Sequence, residues 1–143
     1  SLVTGAAGFV GQAIARALLR EGERVRALVL PGDPRLGELR AGAGAGALEI
    51  VEADIRDAAA VVAAARGVRR IYHTAAMVHS WAPYETYLAI NLGGARNVAR
   101  AALEQGVERL LHVSTSDVFG VPAPGEKLEE GSPFRRWGEP YQD

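Results

Sequence analysis

Thr4-Gly5-Ala6-Ala7-Gly8-Phe9-Val10-Gly11 (TGAAGFVG) sets three glycines three residues apart, after a short apolar run and before a helical one. Each glycine has a physical task. One makes a tight turn, one lets the backbone approach a pyrophosphate, and one lets helix and strand pack closely. The helix that follows offers free N–H groups and the positive end of its dipole to phosphates. Context carries this reading, because glycine spacing without a strand before it and a helix after it says little. A glycine-rich turn with no ligand remains the alternative.

Outward from this loop the chain alternates. Val10, Ile14, Ala17 and Leu18 recur at helical spacing, and Gly22 stops that helix. Residues 25–30 (VRALVL) form a short branched apolar run, a buried strand ended by Pro31-Gly32-Asp33-Pro34. The low-complexity stretch 41–47 (AGAGAGA) reads as a surface loop or frayed helix. A third strand spans 48–52, and Asp57 is placed to cap a helix over 58–66. Residues 68–75 predict a fourth strand, 84–105 one long helix ended by Gly106, and 109–114 a fifth strand. This order calls for right-handed crossovers and a parallel sheet covered on both faces, an α/β, doubly wound, Rossmann-like fold. Ligands of such sheets sit at the carboxyl ends of the strands. Residues 4–11, 31–33, 54–55, 75–79 and 114–120 are therefore the candidates.

Composition narrows the function. The 143 residues suffice for one domain, with 48% hydrophobic and 23% charged residues, as in a soluble globular chain. The net charge of −1 comes with no basic stripe, which argues against a nucleic-acid partner. Lys127 is the one lysine among 16 basic residues, a bias of composition rather than chemistry. With no cysteine there are no disulfides, thiolate metal sites or cysteine nucleophile. His73, His79 and His112 are too scattered for a zinc site and read as strand or loop residues. No apolar run approaches a membrane span and no signal peptide is visible, so a cytoplasmic location is the default expectation. Only three or four residues precede Gly5, against about 5–6 in a typical strand. The expectation is a dinucleotide-binding domain over 1–143 that is part of a longer protein.

The spacing G-x-x-G-x-x-G resembles that of the extended short-chain dehydrogenase/reductase superfamily, in its NAD-dependent epimerase/dehydratase family. The resemblance covers the whole chain in order. It implies that Gly5, Ala7, Gly8, Phe9, Val10 and Gly11 contact the cofactor. The segment 51–57 (VEADIRD) is similar to the adenine-side strand end, implying Asp54 and Ile55. The segment 73–78 (HTAAMV) is similar to the strand end near the ribose, implying Ala75 and Ala76. The segment 90–102 (INLGGARNVARAA) matches Asn91 to a mid-helix asparagine that makes a structural hydrogen bond near the site. NADP-using relatives often end the second strand with arginine, where this chain has Leu30. A carboxylate there suits a ribose 2′-OH, so Asp33 and NAD are favoured over NADP; Asp33 as a plain turn residue is the alternative.

The stretch 112–120 (HVSTSDVFG) resembles the family's S-[ST]-x-x-V-Y-G. That implies a cofactor contact from Ser114 and a hydrogen bond from Thr115 to the reacting oxygen. Phe119 departs from the usual tyrosine. In 139–143 (EPYQD), Tyr141 matches the tyrosine of Y-x-x-x-K, implying an acid/base role with a lysine beyond Asp143. An isolated phenol titrates at about 10 and is a poor base near neutrality, which is why the family pairs it with an ammonium. Without that lysine, little or no turnover is expected of residues 1–143 alone. The family's 4,6-dehydratases carry T-D-E where this chain has Thr115-Ser116-Asp117, and Ser116 cannot act as the acid. The resemblance thus implies an enzyme, first a sugar-nucleotide epimerase or dehydrogenase. Second comes a carbonyl reductase similar to dihydroflavonol reductases or 3β-hydroxysteroid dehydrogenases, with Trp81, Tyr84 and Tyr87 as pocket or cover. A non-catalytic dinucleotide-binding protein is a third reading. The partner expected is a small-molecule substrate, with no nucleic acid and no membrane, and family habit leaves a homodimer open. Arg135 and Arg136, in the loop 121–140, read as solvated charges or as a phosphate contact.

Overall fold

The computed structural model describes residues 1–41, 47–78, 81–136, 138 and 141. Five parallel strands stand in the order β3-β2-β1-β4-β5. They are β1 Leu2–Thr4, β2 Val25–Val29, β3 Leu48–Glu52, β4 Arg70–His73 and β5 Arg109–His112. The register pairs Val3 with Ala27 on one side and with Tyr72 on the other. The chain turns from one side of β1 to the other between β3 and β4, which makes the end of β1 the switch point of the sheet.

Strand alternation distributes the core. Leu2, Leu28 and Ile71 point to one face, where they meet Val61 and Ala65 of α3 (Ala58–Ala65) and Val98 and Ala101 of α5 (Gly94–Glu104). Val3, Ala27 and Val29 point to the other, against Ala15 and Leu18 of α1 (Phe9–Arg20) and Leu39 of α2 (Leu36–Ala41). Neighbouring residues of one strand thus serve opposite layers, as a pleat requires. Both layers are built from buried aliphatic side chains, the leucines, valines and isoleucine each worth roughly 1.5–3 kcal/mol of transfer free energy.

The doubly wound parallel fold is as expected, with differences in detail. The fourth strand is confined to Arg70–His73 and the fifth to Arg109–His112. The helix α2 follows the Pro31–Pro34 turn, and its Leu39 is wholly buried under the sheet. Tertiary packing makes this helix, since six residues do not sustain one alone. Most of the stretch 41–47 lies outside the described residues, as do His79, Trp137, Glu139, Pro140, Gln142 and Asp143. The long helix expected over 84–105 is present but changes its winding. It runs as α4 (Tyr84–Tyr87), a π-helical stretch (Leu88–Gly93) and α5. Such wide turns recur at functional sites, and this one holds Asn91.

Candidate active site

Everything at the carboxyl end of β1 is held by close backbone contact. Gly5 sits at φ +65°, and a Cβ there would stand 2.8 Å from the backbone of Ala75. A Cβ on Gly11 would stand 2.3 Å from the Gly5 carbonyl oxygen and 2.7 Å from Thr74 Oγ1. So the first and third glycines are demanded by the packing of the loop on β4. The Gly8 N–H donates to the Gly5 carbonyl at 2.9 Å and closes the turn. Thr74 Oγ1 donates to the Thr4 carbonyl at 2.7 Å and ties the ends of β1 and β4 together.

The start of α1 is bare. Gly8 is its N-cap and supplies no side-chain acceptor, and no acidic residue stands in the first turn. The first helical bond runs from Gln12 N–H to the Gly8 carbonyl at 2.8 Å, leaving the N–H groups of Phe9, Val10 and Gly11 ahead of the ladder. α3 differs: its cap Asp57 accepts from Ala60 N–H at 3.0 Å. The α1 end opens into a cavity of about 580 Å³. Free N–H groups, a positive dipole end and no competing carboxylate fit an anionic diphosphate.

That cavity gathers most of the residues expected from sequence. Gly5, Ala7, Gly8, Phe9, Val10 and Gly11 line it beside β1. Asp33, Asp54 and Ile55 line it beyond β2 and β3, and Ala75 and Ala76 beyond β4. The two carboxylates are alike. Asp33 accepts from the Arg35 N–H and Nε, both at 3.0 Å, and from Arg35 Nη2 at 2.7 Å. Asp54 accepts from the Arg56 N–H at 2.8 Å, from Nε at 3.0 Å and from Nη2 at 2.6 Å. The guanidinium bonds hold both carboxyls below the usual carboxylate range.

Asn91 does not line the cavity; it shapes the wall. Its Oδ1 accepts from Met77 N–H at 2.8 Å and its Nδ2 donates to the Met77 carbonyl at 3.0 Å. This two-point bond fixes the segment after β4. Asn97 does the same on the adjacent loop, where Nδ2 donates to the Ile55 carbonyl at 2.9 Å. A Cβ on Gly94 would lie 2.3 Å from Ile55 Cδ1, so α5 also presses on that loop. Asn97 and the arginines of the two Asp-x-Arg segments were missed as site residues. The signal was the Asp-x-Arg repeat after consecutive strands.

Ser114, Thr115 and Tyr141 stand apart from the cavity lining. Ser114 is exposed and Thr115 half-buried. Thr115 caps a 3-10 turn (Ser116–Phe119), its Oγ1 accepting from Asp117 N–H at 3.2 Å. Tyr141 is half-buried. Among the described residues no hydrogen bond joins Thr115 to Tyr141. Arg135 is turned back on its own loop by Glu126, and bonding to Arg135 lowers the Glu126 carboxyl to about 2.

Comparison with known proteins follows the same outline. The model of the NAD dependent epimerase/dehydratase family matches residues 1–142. This chain belongs to that family. A 2-alkyl-3-oxoalkanoate reductase of Stenotrophomonas maltophilia is 34% identical over 117 residues, which cover 82% of this chain and 33% of that protein. A 3 beta-hydroxysteroid dehydrogenase/Delta 5-->4-isomerase of Mycobacterium tuberculosis is 33% identical over 129 residues, covering 82% and 32%. Among solved structures, the dTDP-glucose 4,6-dehydratase DesIV of Streptomyces venezuelae, determined with NAD bound, superposes with a TM-score of 0.84 at 32% identity. That match covers 99% of this chain and 46% of the other. The chain thus spans about a third of the length of these curated relatives. Family membership makes it part of an NAD-dependent oxidoreductase, epimerase or dehydratase lineage. Among the described residues no helix is long and apolar enough to cross a membrane, and no cluster of metal-ligating side chains occurs.

Proposed function

We propose that residues 1–143 are the dinucleotide-binding domain of an enzyme that interconverts a secondary alcohol and a ketone. One observation carries this reading. The bare glycine-capped start of α1 opens into the same cavity as Asp33, Asp54 and the Ala75–Ala76 wall. The N–H groups of the first turn of α1 hold the pyrophosphate, Asp54 and Ile55 flank the adenine, and Asp33 faces the adenosine ribose. NAD is assigned ahead of NADP because Leu30 stands where an arginine would meet a 2′-phosphate.

When bound, the dinucleotide supplies the nicotinamide that takes or gives hydride. The chain supplies the proton handling. Tyr141 takes the proton of the substrate hydroxyl, or returns it to the carbonyl oxygen. Thr115 Oγ1 hydrogen-bonds that same oxygen and orients it, with Ser114 beside it on the cofactor side. Asn91 keeps the Met77 segment of the cavity wall in place, which would steady a bound dinucleotide.

For the substrate, two readings differ in what supports them. Exposed apolar side chains stand on the loops beyond the sheet: Val78, Trp81, Val121 and Phe134. With the oxoalkanoate and steroid chemistry named for the relatives, they favour a ketone on an apolar skeleton and a small molecule as the partner. The sugar-nucleotide epimerase first implied by the sequence keeps the support of the DesIV likeness. Ser116 in place of an acid argues against dehydration. The test is to incubate the intact protein with each substrate class and follow NADH absorbance. Net oxidation with an apolar ketone supports the first reading. Conversion of a sugar nucleotide without net cofactor change supports the second. Absence of dinucleotide binding sinks both.

A further inference from the structure

Thr115 and Tyr141, the two side chains given the proton chemistry above, stand 26 residues apart in the chain. An extended chain of that length reaches roughly 90 Å, so the sequence alone leaves them unconnected. The loop between them comes back onto the turn that Thr115 caps, and Arg135 is where it lands. The Arg135 N–H donates to the Val118 carbonyl at 2.9 Å. Its side chain lies against Gly120, where a Cβ would stand 3.1 Å from Arg135 Cβ. Gly120 sits at φ +72°, and its N–H closes the turn on the Asp117 carbonyl at 2.9 Å. Glu126 takes the guanidinium on both carboxylate oxygens, Oε2 accepting from Nη1 at 3.1 Å and Oε1 from Nη2. Glu126 is itself held, because Oε2 also accepts from the Ala123 N–H at 2.7 Å. Phe134 adds a tilted ring contact with Phe119 at 5.6 Å. That contact is minor, since Phe134 stays 78% exposed.

An exposed ion pair alone is a weak hold. This one differs in two respects. Its side chains are 37% and 31% exposed, and the forked bond works together with a main-chain bond to the same turn. We propose that Arg135 is a positioning residue, a clasp that brings the segment leading to Tyr141 onto the turn that carries Thr115. With Arg135 docked, six residues lead from a fixed point to Tyr141, a reach of roughly 20 Å in place of 90 Å. Arg135 and Glu126 do not line the cavity, so the clasp acts on the chemistry and not on dinucleotide binding. This rests on the roles proposed above for Thr115 and Tyr141.

Two measurements on the intact protein test it. Amide hydrogen exchange needs no substrate: Arg135→Ala should speed exchange of the Asp117 and Gly120 N–H groups by about threefold or more, with the amides of β1 and α1 unchanged. Turnover is then followed with two probes, a 3-ketosteroid with NADH and UDP-glucose with NAD+. Arg135→Ala should lower kcat by about tenfold, within the cost of a small misplacement, and leave the dinucleotide Kd where it is. Thr115→Val should cost far less in the Arg135→Ala protein than in the wild type, because a misaligned hydroxyl has little left to lose. Arg135→Lys, which keeps the charge and the stem, should recover part of the loss. A merely structural role would make the two losses multiply, and that result overturns the clasp while Thr115 keeps its role. Unchanged exchange at Gly120 overturns it as well. If Thr115→Val and Tyr141→Phe leave kcat as it is, or neither probe is turned over, the roles proposed for that pair fall and the clasp with them. Should Arg135→Ala fail to fold, Glu126→Gln makes the same test from the other side of the pair.

Discussion

The two ends of the sheet's carboxyl edge are finished differently. Around β1, β2 and β3 the loops are closed by hydrogen bonds, and glycines sit where any side chain would collide with backbone. Beyond β5 the surface is open: all four of its residues are exposed, Leu110 at 37% and Leu111 at 43%. Thr115 follows on that side and caps a 3-10 turn, and Tyr141 lies in a turn further along the chain. The first region presents backbone N–H groups at the start of α1. The second offers side chains, whose geometry depends on what orients them. On the proposed function, binding falls to the first region and chemistry to the second, and variants can test whether each is lost without the other.

The largest expected effect lies in the second region. Tyr141→Phe in the intact protein removes one oxygen and should lower kcat by roughly 10²–10⁴-fold, the range for a lost general acid/base. The dinucleotide Kd should not move. A kcat within a few-fold of wild type would take the acid/base role away from Tyr141. The complementary lesion is Gly11→Ala. Its Cβ would meet the Gly5 carbonyl at 2.3 Å, so α1 must shift away from the loop. We expect a stability loss of about 1–3 kcal/mol. The dinucleotide Kd should rise by at least roughly tenfold, since the shift misaligns several charged hydrogen bonds at once. Unchanged affinity in this variant would mean that the glycine loop packs the fold and binds nothing.

How much was legible in the sequence follows the same division. The glycine loop was readable because its constraints are backbone constraints: a positive φ at Gly5 and absent side chains at Gly5 and Gly11 leave a mark in residue type. The parallel, doubly wound sheet followed from strand–helix alternation, which pins the handedness of each crossover; the strand order did not. Asn91 stood out through its neighbours in the helix, and the structure gives it a bond to Met77. The Asp33–Arg35 and Asp54–Arg56 pairs were not read, because a charged residue at a turn is ordinary and only the repeat of Asp-x-Arg after consecutive strands marks them. α2 escaped because one buried leucine, Leu39, decides it. The π-helical winding at Leu88–Gly93 leaves no residue signature, since any apolar helix could carry it.

His73 marks the boundary between the two regions and gives a smaller effect that pH can read. It is buried on β4 at 2% exposure, with the His112 ring of β5 at 5.2 Å. Thr4 Oγ1 accepts from the N–H groups of Thr74 and Ala75 at 3.3 Å each, so its one proton goes to His73 Nδ1 at 2.6 Å. That fixes the ring as the Nε2–H tautomer. Burial first, and the charge on His112 second, lower the His73 pKa from 6.5 to about 4. The unfolded chain therefore binds a proton below 6.5 that the folded chain refuses until about 4. Stability is complete above pH 6.5 and declines as pH falls toward 4. Between pH 7 and 5 the loss should be roughly 2 kcal/mol. Denaturant midpoints at the two pH values measure it. His73→Asn, whose Oδ1 can still accept from Thr4, should flatten that interval, and a slope retained in the variant would assign the proton elsewhere.

The smallest effect is also the sharpest test of the division, because it concerns a helix start that resembles α1 but is closed. α3 is satisfied at both ends by side chains. Asp57 accepts from Ala60 N–H, and Arg26 Nη1 donates to the carbonyls of Ala64 at 2.7 Å and Arg66 at 2.9 Å. A side chain occupies one of the first N–H groups of α3, whereas the start of α1 meets no side-chain acceptor. Asp57→Ala should therefore cost about 1 kcal/mol, the usual worth of an N-cap, seen as a lower denaturant midpoint with unchanged slope. The dinucleotide Kd should stay where it is. Asp57 is nonetheless close to the site in sequence, three residues after Asp54, so independence is a real demand. If Asp57→Ala weakens binding in step with its loss of stability, the cap and the adenine loop act as one unit, and the bare start of α1 is not the sole helix end that serves the ligand.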